Sequence, residues 1–173
     1  MKPLLPLLLL GSVLACRAPA PETAASSAAP ATVEARPEAI GAAEAAIAAV
    51  LDDWHAAAAA ADGARYFGHM APDSVFLGTD ASERWPLAEF RAFCEPYFAR
   101  GVGWTYEPRE RHVAVQGALA WFDERLWNEK YGLCRGTGVL RREGEAWRIV
   151  HYSLTLLVPN ELASDVVKLI RGR

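Results

Sequence analysis

The sequence predicts an α+β fold, a cone in which a curved antiparallel sheet wraps around N-terminal helices. Three observations carry that prediction. Apolar residues recur at helical spacing from Pro37 to Ala61; three long strand-like segments follow one another from Ala118 to Asn160 with two short turns between them; and Gly132, Gly136 and Gly138 give the sheet places to bend around a long helix.

Taken in order, Ile40, Ala43, Ile47, Val50, Leu51, Trp54 and Ala58 define the first helix, with alanine filling most other positions. Asp62-Gly63 ends it, and Asp62 is placed to cap a short second helix at residues 64–70, whose Tyr66, Phe67 and Met70 can pack back on the first. Pro72-Asp73 breaks the pattern, and residues 74–79 read as a short strand with Val75 and Leu77 on one face. After a polar turn, Trp85-Pro86 opens a third helix with the apolar stripe Leu87, Phe90, Phe93, Cys94, Tyr97 and Phe98, stopped by Gly101 and Gly103. Residues 104–116 form a strand with an irregular middle at Pro108. Beyond the three-strand meander, Asn160 can cap a terminal helix carrying Leu162, Val166 and Leu169 or Ile170.

The 173 residues suffice for one domain with its own core. The net charge of -3 and the absence of a basic stripe argue against a nucleic-acid partner. At the start, Lys2 and a leucine run from Leu4 to Leu10, interrupted by Pro6, have the form of an export signal and are too short to span a bilayer. Val13-Leu14-Ala15-Cys16 resembles the lipobox of bacterial lipoproteins, in which the cysteine is acylated and becomes the mature N-terminus; cleavage without lipidation is the alternative. The segment that follows is rich in Ala, Pro, Ser and Thr and lacks aromatics, as a flexible tether does. The expected organisation is a signal at 1–15, a tether at 16–38 beginning with lipidated Cys16, a domain at 39–162 and a helical tail at 163–173. The expected location is the cell envelope, with the membrane reached through the anchor alone; a secreted or periplasmic form is the alternative.

Cys94 and Cys134 read as two free buried thiols rather than a bridge, since one falls in a helix and the other in a strand. No Cys-x-x-Cys, histidine pair at ligand spacing, phosphate loop, nucleophile elbow or dinucleotide fingerprint occurs, so neither metal nor cofactor is expected.

Side chains alternate along a strand, so the face of the meander that looks into the cone decides the candidate site. A two-residue loop at Glu143-Gly144 sets Arg135 opposite Tyr152 and Thr137 opposite Val150, and a three-residue loop from Glu129 to Tyr131 sets Asp123 opposite Thr137. One face then holds Trp121, Asp123, Arg125, Arg135, Thr137, Val139, Val150, Tyr152 and Leu154. The other holds Phe122, Glu124, Leu126, Cys134, Leu140, Ile149 and His151. The first set is expected to face inward, because it combines large walls with a few convergent polar groups. A bulge at one of the glycines would invert the choice beyond it.

On that register Asp123 is the candidate catalytic residue: a carboxylate among Trp121, Tyr152 and Leu154 would be desolvated and could act as a general base. The competing reading is an Asp123–Arg135 ion pair across neighbouring strands. Trp121, Arg135, Thr137 and Tyr152 form the ligand-binding set, Arg135 being a planar fork for an anionic group. His55 and His112 read as surface or strand residues.

The segments 66–85, 120–149 and 151–160, in this order, resemble the nuclear transport factor 2-like superfamily and within it the SnoaL-like group, over about residues 40 to 162. The resemblance implies an α+β cone with a pocket at its open end, often a homodimer through the outer face of the sheet, and a pocket position near His69. Members include isomerases, cyclases and dehydratases as well as binding and assembly domains, so fold does not decide function. Three functions follow as expectations: binding of a small, partly apolar molecule, with Arg135 available to an anionic group on it; acid–base catalysis through Asp123; or a scaffold for interaction.

Overall fold

The computed structural model describes residues 37–172; the expected export signal, Cys16 and most of the expected tether lie outside them. Helix α1 (Pro37–Ala59) buries Ile47, Leu51, Trp54 and Ala58, a single stripe at spacings of three and four residues. Burial of each large aliphatic side chain on that stripe is worth about 1.5–3 kcal/mol relative to leaving it in water. Helix α2 (Gly63–Gly68) starts where Asp62 accepts a hydrogen bond from the Arg65 backbone N–H at 3.1 Å, and it returns Tyr66 and Phe67 to the core.

Strand β1 (Met70–Leu77) follows, then β2 (Arg84–Pro86) and helix α3 (Leu87–Phe98). The remaining strands are β3 (Glu107–Gln116), β4 (Leu119–Asn128), β5 (Gly132–Glu143) and β6 (Ala146–Leu156). A 3-10 turn (Asn160–Leu162) leads into α4 (Ala163–Arg171). Asn160 therefore begins the turn instead of capping the helix.

The six strands form one sheet in the order β2-β1-β6-β5-β4-β3. The sheet is mixed, not antiparallel throughout, because β1 runs parallel to β6, with Phe76 beside Tyr152. Strand β1 also starts earlier than its composition suggests. It passes through Pro72 and Asp73 where the ladder with β6 is interrupted, so the missing proline N–H leaves no bond unmade. The helices lie on the concave side, α1 against β3 and β6 and α3 against β1 and β2.

The register corrects the expected inner face. The β4–β5 turn is as read: Glu129 to Tyr131 form the loop, Asn128 faces Gly132, and Asp123 lies opposite Thr137. The β5–β6 turn is Gly144-Glu145, with Glu143 opposite Ala146, because Gly144 takes the positive φ of 64° that this turn needs at its first central position. That two-residue shift preserves parity. A bulge in β6 then reverses it: Leu140 faces Ile149, but Val139 faces His151, and Val150 is the extra residue. Tyr152 consequently shares its face with Gly138, and Thr155 stands opposite Arg135.

The buried face is therefore Ala120, Phe122, Glu124 and Leu126 on β4, Cys134, Gly136, Gly138 and Leu140 on β5, and Trp147, Ile149, Tyr152 and Leu154 on β6. Tyr152 and Leu154 point inward as expected. Asp123, Trp121, Arg125 and Arg135 are on the exposed face instead, with Thr137, Val139 and Val150 only partly covered.

Candidate ligand-binding site

The interior of the cone is built on one buried carboxylate. Glu124 is fully buried, between the inward-pointing Phe122 and Leu126 on β4. Its Oε1 is 2.7 Å from His55 Nε2, and its Oε2 accepts from Arg111 Nε at 2.8 Å. Arg111 also donates through Nη1 to the Ala48 carbonyl at 3.1 Å and to Asp52 at 2.8 Å, which ties β3 and β4 to α1. Burial works against the charge on Arg111, but the Glu124 and Asp52 carboxylates outweigh it and raise the guanidinium above its ordinary pKa. An isolated buried carboxylate would cost several kcal/mol; the arginine and the imidazole offset that penalty.

His55 sits on the apolar side of α1, one turn after Leu51, and is 8% exposed. Its Nε2 donates to the carboxylate in the neutral tautomer, which leaves the lone pair on Nδ1. The Tyr152 hydroxyl completes the floor. A methyl group on Gly136 would lie 2.3 Å from that hydroxyl and 3.1 Å from Glu124 Oε1, so the glycine makes room for both. Burial, with the Glu124 charge adding to it, raises the Tyr152 phenol well above its ordinary range and keeps it a hydrogen-bond donor. Tyr66 is raised in the same way, mainly by burial.

Aromatic rings form the rest of the interior. Trp54 stacks on Tyr66 with centroids 4.9 Å apart and meets Tyr152 edge-on at 4.6 Å. The Trp54 indole N–H is buried with no protein acceptor. Trp54, His55, Tyr66 and Tyr152 line an inner cavity with room for about one water molecule. That cavity adjoins a mouth cleft of about 210 Å³, the two sharing Phe76, Trp104, Tyr106 and Leu154 in their linings. Trp85 and Phe93 stand at the cleft with ring centroids 4.7 Å apart, and Trp104, Tyr106 and Tyr131 complete its lining.

Of the residues expected from sequence to carry catalysis or hold a ligand, only Tyr152 lines the cavity. Asp123 and Arg135 lie on the outer face and do not pair with one another; Arg125 binds Glu110 at 2.6 Å instead. Trp121 is 49% exposed, and Thr137 stands beside Asp123 on that same outer face. His69 is the C-cap of α2, with Nε2 2.6 Å from Asp53 Oδ2, away from the cavity lining. Arg65 binds the same carboxylate, and together the two partners, Arg65 foremost, hold Asp53 well below the usual carboxylate range. Cys94 and Cys134 are buried free thiols, the former pushed up to about 12 by burial.

Sequence reasoning missed His55, Glu124 and Arg111. One signal was available: a lone charge in the alternating apolar series Ala120, Phe122, Glu124, Leu126 marks a buried partnered carboxylate. Among the described residues, no group of three or more His, Cys, Asp or Glu side chains is placed to hold a metal.

The profile of the SnoaL-like domain matches residues 47–159. An NTF2-like protein of unknown function from Pseudomonas putida superposes with a TM-score of 0.59 at 21% identity, covering 70% of this chain and 91% of that one. A candidate dehydratase of the NTF2-like family from Streptomyces avermitilis gives 0.59 at 12% identity, covering 69% and 99%. A candidate ketosteroid isomerase from Shewanella frigidimarina gives 0.52 at 20% identity, covering 63% and 94%. At these identities the likeness is one of fold. No curated protein matches the chain.

Proposed function

The chain belongs to the SnoaL-like domain family, and on that premise we propose that it binds a small, partly apolar molecule whose body lies in the aromatic mouth cleft and whose polar end meets His55 and the Tyr152 hydroxyl. The observation that carries this reading is the adjacency of an apolar, aromatic cleft to a cavity holding convergent polar groups, an unpartnered indole N–H, a phenol and an imidazole, which is the usual make-up of a small-molecule site. Native mass spectrometry of protein purified from its own cells, followed by thermal-shift assays with the released compound, tests it. A co-purifying molecule that raises the melting temperature of the parent but not of a Tyr106→Ala variant is expected; equal shifts in both would place the molecule elsewhere.

A second reading, acid–base catalysis, is favoured by the His55–Glu124 pair at 2.7 Å. The carboxylate, ion-paired with Arg111, orients the imidazole, so that Nδ1 can take a proton from the bound molecule while Tyr152 donates to the oxygen on which charge develops. His55→Gln should then retain binding and lose turnover. Loss of both together would make His55 a structural group.

Export and a lipid anchor on Cys16 belong to the same proposal and rest on the sequence alone. The mass of the mature N-terminal peptide from the envelope fraction decides between an acylated Cys16 and simple cleavage. The outer face of the sheet is proposed to hold a second copy, since it alternates exposed Leu119, Trp121 and Trp127 with Asp123 and Arg125, a pattern that a two-fold rotation makes self-complementary.

A further inference from the structure

The mouth cleft has a chemical bias of its own. Its lining is dominated by aromatic rings and contains one charged residue, Glu83. Trp85 is brought there by β2 and Phe93 by α3; Trp104 and Tyr106 precede β3, and Tyr131 lies in the β4–β5 turn. Trp85 and Phe93 stack on one another with centroids 4.7 Å apart and Trp104 stacks on Phe98 at 4.8 Å, so those rings have one face covered, and the π-systems left free in the lining attract positive charge.

Glu83 is positioned to add to that attraction. Its Oε2 accepts from the Asp80 backbone N–H at 3.1 Å, and its side chain folds across Gly78, where an added methyl would come 2.1 Å from that oxygen. Among the described residues, no lysine, arginine or histidine comes within ion-pairing distance of Glu83. A carboxylate without an ion-pair partner among several aromatic rings has the composition of a site for an organic cation. One of the protein's own cations already uses a ring of the lining in this way: Lys130 stands over Tyr131 at 4.8 Å.

We infer that the mouth cleft selects an organic cation, a small molecule bearing an alkylated ammonium group, with Glu83 as counter-charge and Trp85, Phe93, Trp104 and Tyr106 as the cage. This rests on the proposed binding of a small molecule in the cone and names its charge. It also reverses the anionic ligand expected from Arg135, since that guanidinium is on the outer face. The cation's head occupies the cleft, and its uncharged end points toward the inner cavity, where the indole N–H of Trp54 and the Tyr152 hydroxyl offer donors to an oxygen.

Three probes of one shape and different charge test the inference: choline, its neutral isostere 3,3-dimethylbutan-1-ol, and the anion 3,3-dimethylbutanoate, titrated against the folded protein with amide and indole NMR shifts as readout. Choline is expected to bind at least about tenfold tighter than the neutral isostere, as a desolvated cation–π contact with a carboxylate nearby implies. Glu83→Gln should bring the two within about threefold and remove most of the salt dependence. Trp85→Ala should weaken choline more than the alcohol. Equal binding of choline and the alcohol, tighter binding of the anion, or an unchanged ratio in Glu83→Gln would overturn the cation inference and leave small-molecule binding standing. If none of the three perturbs the cleft residues, both fall together.

Discussion

Gly136 is the residue on which the depth of the cone depends. Gly136→Ala would drive a methyl into the Tyr152 hydroxyl and against Glu124, an overpacking expected to cost about 1–3 kcal/mol in urea-unfolding measurements. Adding Tyr152→Phe should recover part of that loss by removing the nearest atom. Glu124 is the opposite case, since its removal leaves charge behind. Glu124→Leu should destabilise the fold by about 3 kcal/mol or more, because Arg111 keeps only one charged partner, the outer Asp52, whereas Glu124→Leu with Arg111→Met should restore at least half of that loss in a double-mutant cycle. Asp53 gives a pH dependence whose sign is fixed by its lowered pKa. Its pairing with Arg65 and His69 contributes stability that is full above the ordinary carboxylate range and is lost as pH falls through the lowered value in the folded protein. The pair is partly exposed, so Asp53→Asn should cost less than about 1 kcal/mol at neutral pH, and the difference should vanish in chemical denaturation at strongly acid pH.

Among the elements, α4 and β6 lie at opposite extremes of importance although they are neighbours in the chain. Helix α4 packs mainly on the 3-10 turn before it and buries none of its residues, so deletion of residues 160–173 should change stability by less than about 0.5 kcal/mol. Deletion from Ala146 onward removes the strand between β1 and β5 and should abolish the cooperative thermal transition. The helices were legible because their signals are local: the stripe on α1, the Asp62 cap and the aromatic face of α3 each lie within a few turns of chain. The antiparallel meander was legible for the same reason, through its short turns. The pairing of β1 with β6 was not, since a parallel contact between distant segments leaves no turn to announce it. The site was lost at Val150. One extra residue in β6 separated Tyr152 from the residues expected beside it and moved Asp123, Arg135 and Trp121 to the far side of the sheet.

The whole molecule presents two unlike surfaces, a cleft rich in aromatic rings and an outer sheet where apolar side chains alternate with charged ones. If a second copy covers that outer sheet, sedimentation at increasing protein concentration should show a dimer, and Trp121→Glu should shift the population to monomer while leaving ligand affinity within about twofold. Independence of the two surfaces is expected because the residues that line the cleft and those that form the outer face share no side chain.

The strand order also sets a timetable. The last strand to leave the ribosome, β6, is inserted between the first strand and the β3–β5 hairpins. Until it has emerged, the sheet exists only as two separated halves, and neither Tyr152 nor Leu154 is present to close the core. A chain still in synthesis therefore cannot complete the sheet or close its core before β6 is available. Joining of the two halves is thus left to the last strand of the chain.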